Sequence, residues 1–208
     1  AALSVLATEP GIVINEVMFY PTQGEYEWVE LKNISAAPIN IDGYALTDED
    51  NHWYEIPTRT PNVPPGAFVV VIYDGLGSTN NEYDFDDNVV FLHTAQDTDI
   101  FEDDMDQVSL YNDYVRSAKK PNIVLPQIVS FVAWGADPGV DATNAIEAGL
   151  WVENTFVDTI LIDLNYSLGL IPGSISSYFE NYVIYNPNQV TQGSENIYAS
   201  LSKVYITA

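Results

Sequence analysis

Residues 25–48 read EYEWVELKNISAAPINIDGYALTD, and no helical period fits them. Apolar and polar residues alternate from Tyr26 onward, so Val29 and Leu31 share one face and are assigned to the core. Asp42-Gly43 then breaks the run before a third short apolar segment. Alternation interrupted by tight turns is the pattern of an antiparallel β-sandwich, and the fold class is read as all-β.

The rest of the chain follows the same grammar. Strands are expected at 12–19, 26–32, 39–41, 44–47, 53–56, 67–73, 89–92, 108–111, 128–134, 159–163, 178–185 and 197–207. The segment 67–73, AFVVVIY, is apolar on both faces and β-branched, so it is expected to be covered on both sides. Pro57, Pro61, Pro64, Pro65 and Gly66 mark a connection that cannot be a central strand. Residues 144–150, NAIEAGL, are the only helix candidate. The stretch 74–107 is rich in Asp and Glu, has no Lys or Arg, and reads as a long acidic insertion holding one strand. With 208 residues and no internal repeat, the expectation is one domain at 10–208, preceded by an extension at 1–9 that Pro10-Gly11 sets apart.

Charge decides which partners are excluded. Thirty acidic residues against six Lys and Arg give a formal net charge of -24. Nucleic-acid binding draws its affinity from cationic side chains that neutralise phosphates, so this chain is not expected to bind nucleic acid. Anionic lipid headgroups are disfavoured for the same reason. Cations, basic proteins and cation-bridged copies of the chain are the suitable partners. Cysteine is absent, which removes thiol catalysis and thiolate metal sites. No apolar run is long enough to span a bilayer. The opening AALSVLA reads as a mature N-terminus left after signal-peptide cleavage, which places the protein outside the cell or on its surface; the alternative is the remnant of a longer chain.

Several segments together resemble the lamin tail domain family in its prokaryotic secreted form. They are INEV at 14–17, YEWVELKN at 26–33, INIDGYALTD at 39–48, IP at 56–57, VPPGAFVVV at 63–71, DQVSLY at 106–111, IVSFVAWG at 128–135 and TQGSEN at 191–196. The resemblance implies an immunoglobulin-like β-sandwich, to which the residues themselves add a long acidic insertion and at most one short helix. It also implies an interaction or structural role without catalysis. Two stretches, 74–107 and 136–165, depart from the compact family pattern. Lys32 stands where an aromatic often precedes the Asn, and is read as surface variation.

Few residues suggest chemistry. His52 and His93 fit no metal or triad spacing and are read as surface or strand-end residues. Glu16 and Glu30 could pair as carboxylates on neighbouring strands, but are read as strand residues accepting hydrogen bonds. Calcium is the sharper candidate, because hard cations want several carboxylate oxygens from loops. Asp84, Asp86, Asp87, Asp97, Asp99, Glu102, Asp103, Asp104 and Asp106 supply that density, and Asp48 and Asp50 a second cluster. The alternative is a solvated acidic loop. Asn33 and Asn165 begin glycosylation sequons, which requires both side chains to lie outside the core.

The leading expectation is a secreted structural protein that self-assembles into a filament, tube or surface layer. Leu3, Val5 and Leu6 of the N-terminal extension would donate a strand to a neighbour's sheet edge, and cations would bridge acidic loops. The alternative is a monomeric module that docks carbohydrate, cell wall or a basic protein through Trp53, Tyr54 and Trp151.

Overall fold

The computed structural model describes residues 11–50, 52–96, 100–112, 127–136, 139–160, 162–174, 176, 178–197 and 205–207. The alternating and β-branched segments become strands. They are β1 (Ile12–Met18), β2 (Glu27–Asn33), β3 (Ala45–Thr47), β4 (Trp53–Glu55), β5 (Phe68–Tyr73), β6 (Val89–His93) and β7 (Asp106–Asn112). After them come β8 (Gln127–Trp134), the α-helix α1 (Ala142–Glu147), β9 (Thr155–Val157), β10 (Ser167–Leu170), β11 (Tyr182–Tyr185) and β12 (Tyr205–Thr207). One sheet has the order β11-β10-β1-β2-β5-β6 and the other β12-β9-β8-β7-β3-β4. Pairing is antiparallel except for β5 with β6 and β8 with β9. This is the sandwich that the alternation implied, of the immunoglobulin-like kind that the family resemblance implied.

The core lies between the sheets, where Phe19, Leu31, Ile41, Leu46, Ile56, Leu92, Phe131 and Trp134 are fully buried. Phe19 and Trp134 stack across it with ring centroids 4.7 Å apart. Register is irregular once in β1, between Ile14 and Glu16, which leaves Asn15 as an extra residue opposite β2. Such a bulge re-aims the side chains that follow it. Beyond it Val17 faces the core opposite Val29, while Glu16 and Met18 face outward opposite Glu30 and Trp28. The Ser130 hydroxyl accepts the Ile14 N–H at 2.9 Å, and the Tyr182 hydroxyl donates to the Ile14 carbonyl at 2.9 Å.

The outer face of the first sheet is covered too. Met18, Trp28 and Val70 are buried there, and the partly buried Ile72, Val89 and Phe91 pack against them together with Val190 of the C-terminal segment 186–197. We call that segment the strap. It explains why β5 is apolar on both faces.

Several expectations are corrected. Residues 39–41 form only an isolated bridge, Ile39 to Val63, because Asn40 and Asp42 engage each other in a turn. The described residues of the expected strand 159–163 (159, 160, 162 and 163) are not in a strand: Ile160 is 81 % exposed, and the pairing is made earlier, by β9. Residues 179–181 form a 3-10 turn before β11. β10 was not anticipated. Within 74–107 a 3-10 turn at Ser78–Asn80 precedes β6. Leu3, Val5 and Leu6 lie outside the described residues, as do Asp97 and Asp99. Among the described residues no helix is long and apolar enough to cross a membrane.

Candidate functional site

β4 ends one sheet and β6 ends the other, and a groove of about 620 Å³ opens between them. His52, Trp53, Tyr54 and Glu55 line one wall, and Ser78, His93 and Gln96 the other. Local bonds fix the second wall. Asn81 Oδ1 accepts the His93 N–H at 2.6 Å, and the N–H groups of Gly75 and Gly77 donate to the carbonyls of Gln96 and Thr94.

Each histidine of the groove is held by an aspartate. His52 Nδ1 lies 2.6 Å from Asp48 Oδ2, and His93 Nδ1 lies 2.6 Å from Asp74 Oδ2. Both carboxylates are buried, at 1 % and 2 % side-chain exposure, whereas the rings are 47 % and 18 % exposed. Two further polar atoms of the lining are buried: Gln96 Oε1 has no hydrogen-bond partner, and Tyr54 Oη has only the Asn81 side chain near it. Burial drives the Tyr54 hydroxyl far above its usual range, so it stays protonated and able to donate.

The Glu16–Glu30 pair sits elsewhere, on the outer face beneath the strap, and both residues are fully buried. Glu16 accepts from the Ser167 hydroxyl at 2.5 Å, and from the Thr191 N–H and hydroxyl at 3.3 and 3.1 Å. Glu30 accepts from Asn15 Nδ2 at 2.7 Å and the Gly193 N–H at 2.5 Å. Asn196 closes the network, accepting from Asn15 Nδ2 and donating to the carbonyls of Asn15 and Leu170. Burial pushes Glu16 up to about 7, and burial with the neighbouring Glu16 charge raises Glu30 well above the carboxylate range. One oxygen of each is spent on the strap, the other on Ser167 or Asn15, and both residues are fully buried, so the pair is a clasp. Lys32, expected at a bland surface, belongs to it: its amine pairs with Glu195 of the strap and lies 5.4 Å from the Phe68 ring centroid.

The acidic candidates divide by burial. Asp84, Asp86, Asp87, Glu102, Asp103, Asp104 and Asp50 are exposed. Asp48 and Asp106 are buried and engaged. Asp106 accepts from the N–H groups of Glu49, Glu102 and Gln107 at 3.0, 3.0 and 2.6 Å, and burial raises it to about 7. Asp48 accepts from both the His52 N–H and ring, and burial raises it above the usual range. Among the described residues no three Asp, Glu or His side chains converge on one point.

Two assignments are overturned. Trp151 is no surface platform: it is 3 % exposed, donates from Nε1 to the Thr155 carbonyl at 2.8 Å, and packs edge-on against Phe131 and Phe179. Asn33 is fully buried and donates to the carbonyls of Ala37 and Val63, so no glycan fits on it. Asn165 is half-buried, at φ 65°, and its Oδ1 accepts from the Thr22 N–H at 2.8 Å.

Comparison with known protein families matches residues 6–124 to the Lamin Tail Domain, more than half of the chain. The chain belongs to that family. No curated protein matches it. The lamin tail match ends before IVSFVAWG and TQGSEN, yet both lie in the sandwich: β8 pairs with β7, and the strap lies on β1 and β2. In this lamin tail domain the groove joins two sheet ends drawn from the matched half, whereas the clasp depends on the half beyond it.

Proposed function

We propose that the chain is a secreted, non-enzymatic recognition module that docks a polyhydroxylated ligand, such as a cell-surface carbohydrate, in the groove between β4 and β6. One observation carries the reading: Gln96 Oε1 is buried there without a hydrogen-bond partner, and Tyr54 Oη has only the Asn81 side chain near it. Buried polar groups are ordinarily satisfied, and a donor and an acceptor on one groove suit a ligand bearing hydroxyls. Two ring-bearing residues, Trp53 and Tyr54, supply apolar surface for sugar faces. The sealing of the carboxylate pair beneath the strap supports a role without catalysis.

Titration calorimetry with neutral, acidic and amino-sugar oligosaccharides tests it. Saturable binding that weakens about tenfold in Tyr54→Phe is the expected result, since a hydrogen bond contributes about 1 kcal/mol or somewhat more. Absence of binding across all three sugar classes would sink it.

Self-assembly is the second reading, supported by the sheet ends: among the described residues no strand lies beyond β4 or β11. Residues 1–9 are the proposed donor. Electron microscopy of the full chain and of a variant lacking 1–9, with and without calcium, tests this. Filaments or layers lost with the deletion are expected, and unchanged assembly rules out donation.

A further inference from the structure

We infer that His52 and His93 form a binding site for a divalent transition cation such as Zn²⁺, held through their Nε2 atoms in the groove between β4 and β6. They are the chain's two histidines, and the fold brings them from the ends of opposite sheets to one groove. Each ring has its Nδ1 2.6 Å from the oxygen of a buried aspartate. A carboxylate accepting the Nδ1–H fixes the tautomer whose lone pair is on Nε2, and it makes that nitrogen a better ligand. The same arrangement, an imidazole backed by a carboxylate, thus occurs twice on one groove.

The two aspartates also supply negative charge behind the rings, and a protein of net charge -24 concentrates cations around itself. Imidazole nitrogens select Zn²⁺, Cu²⁺ or Ni²⁺ over Ca²⁺, which prefers an all-oxygen shell. With two protein nitrogens the remaining positions fall to solvent, to Gln96 Oε1 or to an oxygen of a docked ligand. Affinity in the micromolar range is therefore expected, below that of a closed four-ligand site. The inference does not rest on the carbohydrate reading, because the metal alone is the probe.

Zinc chloride titrated into the full chain in a non-chelating buffer gives the first test, read by calorimetry. One saturable site is expected, at least tenfold weaker in His52→Gln and in His93→Gln and lost in the double variant. Asp74→Asn removes no ligand and should weaken binding about 10- to 100-fold through the His93 tautomer. Long-range ¹H–¹⁵N spectra of the wild-type chain give a readout that needs no variant: Zn²⁺ should shift Nε2 of both histidines. Unmoved Nε2 signals at saturating zinc, or equal affinity in the double variant, would overturn the assignment and hand the zinc to the acidic loops.

Discussion

Glu16 and Glu30 face each other across β1 and β2, and the partners of their oxygens decide how each tolerates change. Both oxygens of Glu30 meet N–H donors, so an amide there sets donor against donor. Glu16 Oε1 meets a hydroxyl, which can accept as readily as it donates, so a proton or an amide nitrogen fits there. Burial raises both carboxyls, and hydrogen-bond geometry seats a proton, or an amide in its place, more readily on Glu16 than on Glu30. Glu16→Gln is expected to leave the melting temperature at pH 7 unchanged or raised, whereas Glu30→Gln should destabilise by about 1–3 kcal/mol in urea unfolding, the cost of a buried unsatisfied group. Trp151 sits at the other extreme of chemistry, a core aromatic in edge contact with Phe131 and Phe179. Trp151→Ala is expected to cost about 3–5 kcal/mol in the same assay, a loss that a surface platform would not show.

Elements differ in how plainly their residues announce them. β2 and β5 were readable because alternation and a β-branched run each have a direct structural meaning. β10 was hidden because Gly169 and Ser167 dilute its pattern, and the reason for the glycine is non-local. A Cβ at Gly169 would stand 2.7 Å from Asn196 Nδ2, 2.9 Å from Tyr185 Cε2 and 3.0 Å from the Asn15 carbonyl. The strap is thus seated on a strand with no side chain at that point. Gly169→Ala is expected to lift it, seen as faster hydrogen exchange at the Thr191 and Gly193 amides while the core strands stay protected. Unchanged exchange there would mean the clasp holds without close contact. The groove was illegible for a related reason: each histidine is uninformative alone, and the pairing of sheet ends that joins them is a property of topology. The Asn33 sequon failed because a triplet carries no information on burial, and this one caps the turn after β2 through Ser35 and Ala37.

At the scale of the whole molecule, two electrostatic effects act on one chain and have different signatures. The first is proton-linked. Glu16 and Asp106 are pushed up to about 7 and Glu30 and Asp48 are raised, in each case chiefly by burial. A carboxyl raised in the folded state binds its proton more tightly there than in the unfolded chain. Its stabilisation is complete below the unfolded value, near 4.5 for Glu16, and is lost as pH climbs through about 7. A single such group corresponds to roughly 3 kcal/mol, so melting temperature should fall steadily from pH 5 to pH 8, and Glu16→Gln should flatten part of that slope. The second effect is self-repulsion at net charge -24, which salt screens without regard to ion identity. At pH 8, sodium chloride raised from about 10 mM to 0.5 M should increase the melting temperature and then plateau as the screening length falls to a few ångströms. Calcium separates screening from binding. If the exposed acidic loops hold calcium, about 1 mM CaCl₂ will stabilise beyond sodium chloride of equal ionic strength and a chelator will reverse it. Curves that coincide at equal ionic strength would assign those loops to solvation and leave the histidine groove as the cation site to test.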